Sequence, residues 1–382
     1  MQTQSIGSLA CERAWVTIDV DALAHNAQQL KKNLLPQTEL MAVVKANGYG
    51  HGAAMVAQTV LEHGVTWLAV ATILEGKELR QAGITAPILL LGAVQAPQEV
   101  DAIATWQLQP TLCSPQQALA ISQHAQRLTP VHLNIDTGMS RLGPLWQQGN
   151  AFVQFVAKLP NLQIASIYSH LATADDPDPS FMEQQHSRFQ KLIGQIQTAG
   201  ILQPKLHIAN SAGTLSGPQY HYDLVRVGLA LYGLYPDAKF RQDIQLQPVM
   251  QLKARVTQVK TLLAGTGVSY GHTYVTPKNM QVAVVGIGYA DGVPRPLSNR
   301  IKVLIRGHPV AQIGAITMDQ LMIDVSQVPS VEVGDVVTLL GQDGNESILV
   351  ETWADLLGTI SYEIVCGFKR RLPRVKISKV PD

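Results

Sequence analysis

The 382-residue chain has a formal net charge of +1, with 46% hydrophobic and 15% charged residues. That balance describes a globular protein with a sizeable core, and it gives no reason to expect nucleic acid or an anionic membrane as partner. The three cysteines, Cys11, Cys113 and Cys366, are too scattered for a disulfide framework; each reads as a buried small hydrophobe in a reducing compartment.

The segment from Met1 to Arg13 is polar and lacks the apolar core of a signal peptide, and no apolar run approaches a membrane span. A cytoplasmic enzyme is therefore expected, and the length suits a barrel plus a smaller module. Ala14–Val20 alternates like a strand, and Asp21-Ala22-Leu23 opens a helix to about Asn33. Strands are then predicted at Glu39–Val44, Trp67–Thr72, Pro87–Gly92, Leu108–Cys113, Val131–Asp136, Leu162–His170, Lys205–Ser211 and Leu224–Tyr232. Most are near-continuous apolar runs, as in parallel strands covered on both faces. Helical patterns lie between most of them, among them Leu74–Gln81, Pro115–His124, Asn150–Lys158 and Phe181–Thr198. Eight such repeats fit a closed (β/α)8 TIM barrel better than an open sheet.

The helical period fades near Gln247. Lys253–Thr261, Gln281–Gly286, Arg300–Ile305, Val310–Ile316, Gln320–Val325 and Asp335–Leu340 read as strands, with Arg306-Gly307-His308-Pro309 as a hairpin connection. A late helix is expected at Leu349–Leu357. The expected division is a tail at 1–13, a barrel at 14–245 and a mostly β domain at 246–382. Which sheet Ala14–Val20 joins stays open.

Barrel chemistry gathers at the C-terminal ends of the strands. The first barrel strand ends in Lys45, followed by a turn with Gly48, Gly50 and Gly52. A lysine there loses charge on burial, and a neutral amine adds to aldehydes. Taken alone it could equally snorkel to solvent. Strand five leads into Asp136-Thr137-Gly138-Met139-Ser140-Arg141, strand six ends in Ser169-His170, strand seven in His207-Ile208-Ala209-Asn210-Ser211, and strand eight carries Arg226-Val227-Gly228-Leu229. Singly, Arg141 could be a surface ion pair, His170 a core histidine and Gly228 a packing glycine. At one rim they make a coherent set. Ser211 and Gly228 suit a phosphate, Arg141 a carboxylate, Arg226 a ring nitrogen and His170 a flat ring. Pyridoxal phosphate joins aldehyde, phosphate and ring nitrogen in one molecule.

The motifs AVVKANGYGHG, DTGMSRLG, IYSHLATADD, HIANSAG, RVGLALYG, VSYGHTY, GYADGVPR, TMDQ and ISYEI occur in this order along nearly the whole chain. In them the chain resembles the bacterial alanine racemases. The resemblance implies a pyridoxal phosphate enzyme that interconverts L- and D-alanine as a head-to-tail homodimer with shared sites, supplying D-alanine for peptidoglycan. Lys45 would carry the cofactor covalently and act as the base on the D face, with Tyr270 from the partner subunit on the L face. Tyr49, Ser211, Gly228, Leu229 and Tyr362 would hold the phosphate, Arg226 would face the pyridine nitrogen and His170 would adjoin the ring. Arg141 and the backbone N–H of Met318 would contact the substrate carboxylate. Asp175, Tyr289 and Arg295 match positions lining the entrance. No metal is implied.

One position departs from the family pattern. Many members carry a carbamylated lysine two residues before the aspartate of DTGM, where this chain has Asn134. Asparagine cannot be carbamylated, so a bound anion such as chloride is the expected substitute, and Thr317 is a second position that bears on specificity. Gly286-Ile287-Gly288-Tyr289 faintly resembles a dinucleotide loop, but its third glycine is misplaced and no helix pattern follows. A barrel-type decarboxylase with the same cofactor would need an acidic partner for its C-terminal cysteine, which Cys366 lacks. A non-catalytic carrier of pyridoxal phosphate would lack residues 246–382. A racemase of broader specificity is opposed by Tyr362 near the pocket.

Overall fold

The computed structural model describes residues 13–94, 96–201 and 204–378. Cys11 and the expected N-terminal tail up to Glu12 lie outside the described residues. The described residues divide into two compact units: Leu23–Gly48 with Ala53–Gln247, and Arg13–Ala22 with Tyr49–Gly52 and the described residues from Pro248 to Ser378.

The first strand, β1 (Ala14–Asp19), belongs to the second unit. The first unit holds β2 (Glu39–Val43), β3 (Trp67–Val70), β4 (Ile88–Ala93), β5 (Gln109–Leu112), β6 (Thr129–Asn134), β7 (Leu162–Tyr168), β8 (Lys205–His207) and β9 (Leu224–Val227). These form one parallel sheet in the order β8-β7-β6-β5-β4-β3-β2-β9. Between β8 and β9 the gap is bridged by Asp223 N–H to the Leu206 carbonyl (3.1 Å) and Arg226 N–H to the Ala209 carbonyl (3.0 Å). The sheet thus curls into the expected eight-stranded barrel. Helices fill the returns, among them Ala53–Leu61, Ile73–Gln81, Pro115–His124, Trp146–Ala157 and Ser180–Thr198.

The eight barrel strands occur where predicted, but most end earlier. Ser211 opens a short helix, Ser211–Leu215, rather than closing a strand. Leu229–Tyr232 forms a tight 3-10 turn instead of extending β9. The reason is local: Asn210 accepts from Gly213 N–H at 2.9 Å and caps the short helix, while Gly228 turns the chain at φ −112°, ψ −87°. In both places the backbone leaves the sheet, and N–H groups there turn to side-chain acceptors instead of a neighbouring strand.

The second unit is built on a mostly antiparallel sheet in which β1 pairs antiparallel with β10 and parallel with β19, which answers the question the sequence leaves open. Its other strands are β10 (Met250–Leu262), β13 (Met280–Val285), β14 (Lys302–Ile305), β15 (His308–Ile313), β16 (Leu321–Asp324), β17 (Val336–Asp343), β18 (Glu346–Ile348) and β19 (Arg374–Ile377), with a separate small hairpin of β11 (Gly267–Val268) and β12 (Tyr274–Val275). Strand order is β18-β17-β14-β15-β16-β13-β10-β1-β19, and β10 is long enough to pair with β17 as well. Ile305 pairs with His308, so the hairpin turn is only Arg306-Gly307, at φ 52° and 75°. Two successive positive φ values match the right-handed twist of the strands. Val268, Met280, Val282, Val284, Ile313 and Met322 close a core on this sheet. Buried Asp291 anchors a loop: it accepts two bonds from Arg13 (2.9 and 2.6 Å) and one from Arg371 (2.8 Å). Among the described residues, no helix is long and apolar enough to cross a membrane.

Candidate active site

The barrel unit carries Lys45, Arg141, His170, Asp175, Ser211, Arg226, Gly228 and Leu229. Lys45 stands two residues beyond the end of β2 and is half-buried. Behind it the backbone makes a left-handed turn, with Ala46 at φ 52°, ψ 47°, Asn47 at φ 55°, ψ 46° and Gly48 at φ 62°, ψ 46°; Tyr49 follows at φ 52°. Left-handed helical geometry costs about 1–2 kcal/mol for each residue with a Cβ. Only Gly48 is exempt, so this turn persists only because its surroundings impose it. Gly48 N–H reaches the Val44 carbonyl at 2.8 Å, and the Asn47 side chain accepts from Ala53 N–H at 3.0 Å.

Arg226 is 3% exposed at the end of β9. Its guanidinium donates to His207 Nδ1 (2.7 Å), His170 Nδ1 (3.2 Å) and the carbonyls of Ser169 (2.8 Å) and Ile208 (3.2 Å). All four acceptors are neutral. Burial, with Arg141 adding repulsion, pushes its pKa down to about 10, so it keeps its proton at neutral pH. His170 is held well below the usual histidine value, first by burial and then by Arg226, Arg141 and Lys45. Three cationic side chains thus act on one imidazole, and the rim is electropositive.

Ser211 closes the set. Its hydroxyl oxygen accepts from Gly228 N–H at 3.1 Å and Ala230 N–H at 3.4 Å, tying the short helix to the turn after β9. Arg141 is exposed on a loop braced by Asp136, whose carboxylate accepts from Gly138 N–H (2.8 Å) and Ser140 N–H (3.0 Å). Asn134 is buried at the end of β6, and a Cβ at Gly143 would lie 2.1 Å from its carbonyl oxygen. Asp175 is exposed, its carbonyl accepting from Lys239 at 3.3 Å.

The second unit carries Tyr49, Tyr270, Tyr289, Arg295, Met318 and Tyr362. The Tyr49 and Tyr362 rings lie 5.8 Å apart, tilted at 45°. Burial, then Tyr362 and Cys366, raise the Tyr49 hydroxyl above its ordinary range. Tyr270 stands at the tip of the β11–β12 hairpin, 72% exposed, just after Ser269, whose hydroxyl donates to the Ala315 carbonyl at 2.7 Å. Tyr289 and Ala290 donate their N–H groups to the carbonyls of Thr317 and Met318, both at 3.0 Å. Only glycine fits at 288, where a Cβ would lie 2.2 Å from the Thr317 oxygen. A short 3-10 turn, not a helix, follows Gly288, unlike a dinucleotide loop. Arg295 is exposed. Cys366 is exposed too, which corrects the expectation of a buried hydrophobe: it lies in the last turn of a short helix, Ser361–Gly367. Among the described residues no group of histidine, cysteine or acidic side chains could hold a metal ion.

Sequence reasoning missed several supports. Gln185 is fully buried and cross-links two rim loops, accepting from Ala172 N–H (2.8 Å) and donating to the His170 carbonyl (2.9 Å) and Thr137 hydroxyl (3.2 Å). Nothing in its helix pattern marks it. His132 and Ser166 inside the barrel left a signal: polar residues interrupting apolar parallel strands.

Residues 18–236 match the family described as alanine racemase, N-terminal domain, and residues 249–376 the alanine racemase C-terminal domain. The chain is 60% identical to the alanine racemase of Nostoc sp. over 96% of both chains, and 58% identical to that of Synechocystis sp. over 96% of this chain and 99% of the other. The solved alanine racemase of Clostridium difficile superposes with a TM-score of 0.92 at 33% identity, covering 97% of each chain. That of Bacillus anthracis, solved with bound L-Ala-P, superposes at 0.90 with 35% identity over 96% of each.

Proposed function

The chain belongs to the alanine racemase family, and from that premise we propose that it interconverts L- and D-alanine with pyridoxal phosphate, using Lys45 and Tyr270 as its two bases. The observation that carries this reading is the donor set of the barrel rim. Lys45, Arg141 and Arg226 together depress His170, and Arg226 is a buried cation whose bonds all end on neutral acceptors. Such a set fits an anionic, phosphate-bearing ligand with an electron-poor ring. When bound, pyridoxal phosphate supplies the electron withdrawal that makes a Cα proton removable.

The remaining work falls to the chain's own groups. Ser211, Gly228 and Leu229, with Tyr49 and Tyr362, would hold the phosphate. Arg226, which stays protonated, would face the pyridine nitrogen as a donor and disfavour a proton there. His170 would adjoin the ring. Arg141 and Met318 N–H orient the substrate carboxylate, and Asp175, Tyr289 and Arg295 line the entrance. Lys45 takes or returns the proton on the D face and the Tyr270 hydroxyl on the L face, one removing while the other donates. The exposure of Tyr270 in a single chain supports a homodimer in which each subunit completes the other's site. The reading carries a cytoplasmic location and supply of D-alanine for peptidoglycan.

The test is racemisation of L-alanine by the purified protein with pyridoxal phosphate, with L-serine in parallel. Lys45→Ala is expected to abolish covalent attachment and activity, and Tyr270→Phe to impair proton exchange at Cα mainly from L to D. An equal, mild loss in both directions from Tyr270→Phe would remove it as a base.

A further inference from the structure

The left-handed turn behind Lys45 needs something to impose it, and a side chain from the next barrel repeat is placed to do so. Glu75 lies in the first turn of the helix Ile73–Gln81, where Thr72 and Glu75 form a reciprocal cap. A cap needs only the bond from Thr72 N–H to the carboxylate, which is the longest this group makes, at 3.1 Å. The two shorter bonds, both 2.7 Å, come from Ala71 N–H to Oε2 and from Ala46 N–H to Oε1. One carboxylate therefore clamps the end of β3 to the first residue after Lys45. Ala46 is exposed, so without this bond its N–H could turn to water and the turn could relax.

We propose that Glu75 is a positioning residue for Lys45, its carboxylate holding the left-handed turn that aims the lysine amine. This rests on the reading of Lys45 as the cofactor-bearing base. The side-chain chemistry is specific. A carboxylate is acceptor-only and can receive all three N–H groups. Glutamine at the same length has one oxygen, and its amide would point N–H at N–H. Aspartate keeps the charge but shortens the reach.

The experiment compares full-length wild type, Glu75→Gln, Glu75→Asp and Thr72→Ala. Hydrogen exchange across residues 45–53 is measured without cofactor, and the pH titration of the Lys45-linked absorbance is measured with it. In Glu75→Gln, exchange at Ala46–Gly48 is expected to rise at least tenfold, the pH midpoint of the absorbance to move, and kcat to fall roughly tenfold. Glu75→Asp should fall between, and gives the reading should Glu75→Gln not fold. Thr72→Ala keeps the carboxylate; it should melt earlier and leave both signals unchanged. Wild-type exchange and titration in Glu75→Gln would overturn the proposal, as would Thr72→Ala reproducing its changes. Absence of a Lys45-linked band in the wild type would instead overturn the reading of Lys45, while the cofactor-free exchange still reports whether Glu75 holds the turn.

Discussion

Arg226 donates to Nδ1 of His207 at 2.7 Å, and because a guanidinium has no acceptor, that bond sets the direction of a chain through the barrel. His207 must carry its proton on Nε2 and give it to Ser166 Oγ (2.8 Å); Ser166 then donates to His132 Nδ1 (2.6 Å), and His132 Nε2 to Gln109 Oε1 (2.8 Å). His207 is also stacked on Tyr168, with centroids 4.8 Å apart and planes within 6°. Ser166→Ala leaves one donor and one acceptor buried without partners, a loss of roughly 2–4 kcal/mol in unfolding free energy. Denaturant titration reads the loss. Nitrogen-15 shifts should still show the His207 proton on Nε2, since Arg226 is untouched; a proton on Nδ1 would sink the assignment.

The same chain makes the enzyme sensitive to acid. Burial holds His132 down to about 3, and burial followed by Arg226 holds His207 well below 6.5. Both stay neutral in the fold, whereas the unfolded chain takes up protons as pH falls through about 6.5. Stability from these groups is therefore complete above that value and lost progressively below it. Replacing His132 with glutamine should flatten the acid limb between pH 6 and 4 by about one proton, roughly 1.4 kcal/mol per pH unit. Parallel limbs in wild type and variant would show that His132 does not titrate on unfolding.

Much of this was legible in the sequence. Eight apolar runs separated by helical patterns mark the barrel, and Lys45, His170 and Arg226 stand at or just beyond strand ends where barrel chemistry gathers, while Ser211 opens the short helix after β8. Less legible were features made by distant pairs. Arg13 and Asp291 are far apart in the chain yet bonded twice, and the pairing of β1 with β10 and β19 follows from no local pattern. The turn behind Lys45 was hidden for another reason: three of its four left-handed residues are not glycines, and propensity argues against the conformation they adopt.

Asn134, at the position where the family resemblance implies a charged, carbamylated lysine, is buried at the end of β6. With Arg141 and Arg226 nearby enough to act on the same histidine, an anion is the natural counter-charge. Initial rates at constant ionic strength are expected to rise as chloride replaces a bulky organic anion. Rates indifferent to halide would dismiss the substitution.

Gly143 gives a way to disturb Arg141 without touching it. The glycine sits two residues beyond Arg141 at φ +93°, and an added Cβ would lie 2.1 Å from the Asn134 carbonyl oxygen and 2.7 Å from its carbon. Those are backbone atoms at the end of a barrel strand and cannot swing aside, so in Gly143→Ala the loop itself must move. Left-handed strain of this kind costs about 1–3 kcal/mol. The loop is tied at its base, where Asp136 N–H meets the Pro144 carbonyl at 2.9 Å and Trp146 N–H meets the Asp136 carbonyl at 2.9 Å. The shift should therefore fall on the segment between them, which carries Arg141. If Arg141 holds the substrate carboxylate, KM for alanine should rise about tenfold or more, with a smaller change in kcat and a modestly lower melting temperature. A lowered melting temperature with KM unchanged would mean that the loop absorbs the strain without displacing the arginine, and would overturn the predicted shift of Arg141.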